Sequence, residues 1–135
     1  MKASLQPGVL RVNRITVDRG RTISFMGDEG RVYATPWLIG DIEYTCRDLI
    51  LEHADAGEDS VGVEVAVKHL APTLPGMAVE ITVRVTAVDG RKIAFEAVAK
   101  DELDEIGRGT HTRFVVDVAK TIERLEAKAA KRVIK

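Results

Sequence analysis

Residues 33–51, Tyr33-Ala34-Thr35-Pro36-Trp37-Leu38-Ile39-Gly40-Asp41-Ile42-Glu43-Tyr44-Thr45-Cys46-Arg47-Asp48-Leu49-Ile50-Leu51, decide how the chain is read. Leu38, Ile42, Cys46 and Leu49 recur at three- and four-residue spacing, and Ile39 and Ile50 widen the apolar arc beyond a surface stripe. The stretch reads as one helix. Thr35 is placed to cap it by accepting a free backbone N–H, and Pro36 suits the first helical position, where its missing N–H costs nothing. A helix this apolar needs covering on most sides. At 100° per residue, Glu43 falls beside Ile39, Cys46 and Ile50, at the edge of the arc rather than opposite it. A carboxylate there loses hydration, the environment that tunes a side chain for proton transfer, although a plain half-exposed Glu fits the same spacing.

The cover has to come from the flanking chain. Upstream, a ragged start rich in arginine leads to an expected first strand over about residues 21–26, then to a mobile loop around Gly27-Asp28-Glu29-Gly30. Downstream, Ala54-Asp55-Ala56-Gly57-Glu58-Asp59 ends the helix, and from Ser60 the period changes to two. Val61, Val63, Val65 and Val67 alternate with Gly62, Glu64, Ala66 and Lys68 up to His69, as in a strand with one apolar face. Pro72 and Pro75-Gly76 make a turn. A second alternation, Val79, Ile81, Val83, Val85 and Ala87, runs to the hairpin signal Asp89-Gly90 and returns through Ile93, Phe95, Ala97 and Ala99. A last strand covers residues 108–117, and a charged, peripheral helix covers residues 118–131.

The 135 residues suffice for a core without staples, so one domain is expected over 1–135, with its core at about 21–117. Twenty Lys+Arg against 21 Asp+Glu leave a net charge of −1, which gives no global pull toward nucleic acid or an anionic membrane. The single cysteine, Cys46, excludes an intramolecular disulfide, and the N-terminal residues lack a signal-peptide core, so the cytoplasm is the expected compartment. Nowhere do ~18 consecutive apolar residues run together. His53, His69 and His111 match no zinc spacing, and there is no phosphate loop or nucleophile elbow. No cofactor and no metal are expected.

Strand, long apolar helix, four strands in antiparallel succession and a terminal helix make an α+β layout. An antiparallel sheet with one apolar face satisfies such a helix by curling around it, which is the hotdog architecture. Its open sheet edges call for a homodimer or a higher homo-oligomer.

Six separated motifs then agree in order and spacing: Ala34-Thr35-Pro36, Glu43 eight residues after the Thr, Ser60-Val61-Gly62, His69-Leu70-Ala71-Pro72, Val88-Asp89-Gly90-Arg91, and Gly109-Thr110-His111-Thr112-Arg113-Phe114. Together they resemble the fluoroacetyl-CoA-thioesterase-like branch of the hotdog acyl-CoA thioesterases. The resemblance implies Thr35, Glu43 and His69 as catalytic residues, Gly62 and Arg113 as substrate-binding residues, and an acyl-CoA substrate cleaved to carboxylate and free CoA at a dimer interface. In that reading Glu43 is the base, His69 orients water or relays the proton, Thr35 is nucleophile or carbonyl anchor, and Arg113 pairs with a CoA phosphate. The alternative is a non-catalytic acyl-CoA-binding module. Phe25-Met26-Gly27-Asp28-Glu29-Gly30, expected to cover the acyl pocket, holds one aromatic, which argues against fluoroacetyl-CoA as the natural substrate. Trp37 and Phe95 are candidates to narrow that pocket. If Pro36 starts the helix, Thr35 and Glu43 stand about 12 Å apart along its axis, so a site holding both draws on two subunits or an irregular lead-in.

Overall fold

The computed structural model describes residues 1–132; the last three residues of the expected domain lie outside them. The helix read from residues 33–51 is α1, Thr35–Glu52. Five strands surround it: β1 (Leu10–Thr16), β2 (Glu58–His69), β3 (Ala78–Asp89), β4 (Lys92–Lys100) and β5 (Glu105–Asp117), followed by α2 (Val118–Ala130). The strands form one antiparallel sheet in the order β1-β3-β4-β5-β2. The sheet packs around α1, whose Leu38, Ile42, Cys46, Leu49 and Ile50 are fully buried against Val79, Ile81, Val83, Val85, Ile93, Phe95 and Val115. This is the hotdog architecture that the helix demanded. No residue of α2 is buried, in keeping with a peripheral helix.

Three local expectations are corrected. Thr35 does not cap α1: Ala34 holds the cap position with no side-chain hydrogen bond, and Thr35 is the first helical residue. Its hydroxyl is turned instead toward His69. The first strand is not at 21–26 but at Leu10–Thr16, pairing with β3. Its signal was masked because two of its three inward positions are polar: Asn13 Nδ2 donates to Asp48 at 3.0 Å, and Arg11 pairs with Glu52, leaving Ile15 alone against the core. Residues 17–34 form a loop of two short 3-10 turns closed by one isolated bridge, Thr22 to Tyr33. Finally, the last four strands are not in simple succession. β2 pairs with β5 across the sheet, leaving its other side as a free edge.

β2 carries the feature that places the site. Its pairing with β5 slips between Gly62 and Glu64, leaving Val63 as an extra residue. Gly62 opposes buried Arg113 and Val65 opposes buried His111, whereas Val61 opposes exposed Phe114. The four alternating valines therefore do not share one face. On β5, Gly109 lies so close to the Ala66 carbonyl of β2 that a side chain there would collide with backbone.

The 17–34 loop is latched to α1 by a buried carboxylate. Asp41 accepts from the Tyr33 hydroxyl and from Arg21 Nε at 3.1 Å, and the Arg21 guanidinium stacks 4.9 Å from the Trp37 ring. Losing one partner of a buried pair leaves the other uncompensated. Arg21→Ala is expected to cost about 3 kcal/mol, read as a lower urea midpoint at unchanged slope.

Candidate active site

The sequence-predicted residues fall into two groups at opposite ends of β2. At its C-terminal end, Thr35 Oγ1 lies 2.7 Å from His69 Nδ1. Tyr33 packs edge-on against the His69 ring, with centroids 6.3 Å apart and planes at 80°, so the Asp41 latch also braces the histidine. His69 Nε2 is buried and has no hydrogen-bond partner. Burial holds this imidazole below its ordinary pKa. A cavity of about 360 Å³ opens here between Thr35, His69, Phe25 and Pro72.

Toward the N-terminal end, Glu43 leans over Gly62. A Cβ built on Gly62 would stand 2.7 Å from Glu43 Oε1 and 3.3 Å from the His111 ring, so only glycine admits the carboxylate this close. Arg113 lies beneath, 6% exposed: its Nε donates to Ser60 Oγ at 2.7 Å, Nη2 to the Ser60 carbonyl at 2.8 Å, and Nη1 approaches His111 Nε2 at 3.2 Å. A guanidinium enclosed in this way is no surface grip for a phosphate. It lines a cavity of about 440 Å³ with Glu43, Arg47 and Gly62. The motifs gave His111 no role of its own, yet it shares the inward face of β5 with Arg113 and Val115, opposite buried Phe95 of β4; its Nδ1 lies 2.7 Å from the Glu64 carbonyl.

Trp37 and Phe95 line neither cavity: the first carries Arg21 on its ring and the second is core. Cys46 is no nucleophile, since burial pushes its thiol up to about 12. A further concavity of about 760 Å³ lies on the outer sheet face around Ala66, Val98 and Thr110 and holds none of these groups. α1 is regular from Thr35, so about 12 Å of helix separates Thr35 from Glu43. One protomer brings Thr35 to His69, and Glu43 to Gly62 and Arg113, but does not join the two groups.

Two outcomes follow from this geometry. The carboxylate over Gly62 is the end of a flexible side chain, so Gly62→Ala displaces Glu43 without breaking the fold. Thermal midpoints should match wild type while kcat falls about 10²-fold, the usual penalty of ångström-scale misplacement. His69 and His111 are both held below 6.5, chiefly by burial. Below that pH the unfolded chain binds protons that the folded chain refuses, so stability rises with pH through this window and is lost as pH falls below about 6.5. Thermal melts at pH 7.5 and 5.5 should show it, ahead of the carboxylate transitions at lower pH.

The model of the fluoroacetyl-CoA-specific thioesterase family matches residues 17–119. A curated relative, the fluoroacetyl-CoA thioesterase of Streptantibioticus cattleyicolor, is 37% identical over 89 residues, 66% of this chain and 64% of its own length. The chain thus spans just under two thirds of that relative. The solved structure of the fluoroacetyl-CoA thioesterase FlK superposes with a TM-score of 0.84 at 29% identity, covering 92% of this chain and 97% of the other. A thioesterase superfamily member from Thermus thermophilus gives 0.83 at 30% identity over 93% and 96%. A hot-dog-like protein from Thermanaerovibrio acidaminovorans, 23% identical, gives 0.85 over 93% and 94% and supports the fold alone. With most of its length matched by the family model, the chain belongs to the fluoroacetyl-CoA-specific thioesterase family.

Proposed function

We propose that this chain is an acyl-CoA thioesterase, a single hotdog domain that hydrolyses the thioester to a carboxylate and free CoA. Its site is shared across a homodimer: Thr35 and His69 of one protomer meet the partner's Glu43 and Gly62. The observation that carries this reading is the pair of half-sites along an edge strand whose outer side is free, one of them with the buried, unpartnered Nε2 of His69. The middle of β2 is exposed on both sides, with Val61, Val63 and Val65 open to solvent. An edge that long and that apolar is a template for another strand. A second β2, laid antiparallel about a twofold axis near Val65 and Ala66, brings His69 beside the partner's Gly62, and with it the partner's Glu43.

In this arrangement Glu43 takes the proton of the attacking water. The water oxygen bonds to the thioester carbon, the carbonyl oxygen gathers charge, and the C–S bond breaks to release the CoA thiolate, which is finally protonated. Backbone N–H groups near Gly62 and at the start of α1 stabilise the oxyanion. His69, neutral and hydrogen-bonded to Thr35, orients the water or passes on the proton. Thr35 serves as anchor of the acyl carbonyl or as nucleophile, and trapping of an acyl-enzyme separates the two. Arg113, enclosed beneath Glu43, acts at the thioester end rather than on a phosphate. A point mutant of FlK has been solved with fluoroacetate and CoA; here the acyl class is open, and a fluoroacetyl preference has no support from the Phe25-Met26-Gly27 segment. A reducing compartment suits the lone buried thiol, and we take the cytoplasm as the setting. No described helix is long and apolar enough to cross a membrane.

Thiol release from a panel of short, long and aryl acyl-CoAs, with wild type beside His69→Ala, tests the proposal. Turnover of one acyl class that collapses in the variant supports it. CoA bound with no thioester cleaved would make the chain a binding module.

A further inference from the structure

His111 is the buried titratable group that the chemistry above leaves unused. The residue is 2% exposed, and its ring faces Glu43 of α1, Gly62 and Glu64 of β2, and Arg113 of its own strand. Nδ1 meets the Glu64 carbonyl at 2.7 Å, an atom that only accepts, so Nδ1 carries the proton. Nε2 meets Arg113 Nη1 at 3.2 Å, an atom that only donates, so Nε2 carries a lone pair. Two one-way partners fix a single neutral tautomer.

That lone pair stands at a decisive place. Glu43 Oε1 is 3.7 Å from the same Nε2. A guanidinium enclosed next to a carboxylate ordinarily closes on it as a forked pair. Here, among the described residues, Arg113 and Glu43 form no ion pair within 4 Å; Ser60 holds two of the guanidinium nitrogens and His111 the third. Glu43 is left lying over Gly62 instead.

We infer that His111 is a positioning residue: its Nε2 lone pair restrains Arg113 and keeps the guanidinium from closing on Glu43, so the carboxylate stays free to accept a proton. This rests on the reading of Glu43 as the base. Glutamine and asparagine at position 111 separate the effect from simple filling of space. The glutamine oxygen reaches as far as Nε2 and accepts from Arg113. The shorter asparagine amide replaces only Nδ1 and keeps only the Glu64 bond.

The test is steady-state kinetics of both variants on the best acyl-CoA of the panel, beside their crystal structures. His111→Asn should lower kcat about 10-fold or more at unchanged KM, whereas His111→Gln should stay within about 3-fold of wild type, with similar melting temperatures. In the structures, Arg113 should be closed on Glu43 in the asparagine variant and apart from it in the glutamine variant. Equal losses in both variants, or an Arg113 that does not move, would overturn the role of His111. The crystal structures decide this even if wild type cleaves no thioester, an outcome that would instead remove the hydrolase reading. Nitrogen NMR of the wild-type imidazole gives a further check: an Nε2–H tautomer near neutral pH would refute the assignment.

Discussion

Glu43→Gln is expected to lower kcat by about 10²–10⁴-fold, the range spanned by loss of a positioned general base. The amide has the shape of the carboxylate and still fits over Gly62, where a Cβ would not. Its side chain is 38% exposed, so the substitution disturbs neither core nor fold. Binding of CoA should persist, which moves the whole effect into kcat rather than KM. A loss below about 10-fold would pass the role of base to His69, whose buried Nε2 is the other candidate proton acceptor.

Mixing two inactive variants should restore activity. In a heterodimer of Glu43→Gln and His69→Ala subunits, one composite site receives both substitutions and the other receives neither. Random reassociation of equal amounts makes half of the dimers mixed, each with one intact site, so about a quarter of wild-type activity should return. The subunits have to be dissociated and reassociated together for this to be read. If all the catalytic groups of a site belonged to one protomer, the mixture would stay inactive at every ratio. The 12 Å of regular helix between Thr35 and Glu43 is the reason for expecting rescue.

The sequence made the central helix and the last four strands legible, because Leu38, Ile42, Cys46 and Leu49, and later Val79 to Val85, keep strict periods where one face is dry. β1 escaped because Arg11 and Asn13 spend two of its three inward positions on Glu52 and Asp48, so most of the burial that makes alternation readable is replaced by polar pairing. Strand order escaped as well: the pairing of β2 with β5 is a long-range choice that no local pattern records. Of the residues that the resemblance pointed to, the structure brings Thr35 to His69, and Glu43 to Gly62 and Arg113, in two separate sets. Thr35 was misread as a cap because its hydroxyl suits either duty, and only the arrival of His69 from 34 residues away decides between them. Arg113 and His111 share the inward face of β5 with Val115, but charged and polar residues at strand positions read as surface until the buried Ile93 and Phe95 opposite them are known.

The bulge in β2 fixes what a count along the chain means. Gly62 and His69 are an odd number of positions apart, and in an unbroken strand such residues look out of opposite faces. The extra residue Val63 changes the parity, so that Gly62, opposite Arg113, and His69, opposite Gly107, look the same way. Removing one residue between them would leave every motif intact in the written sequence and still send the glycine or the histidine to the wrong side of the sheet. A related chain that keeps Gly and His at this odd interval has to keep the bulge, and one that spaces them evenly has to have lost it.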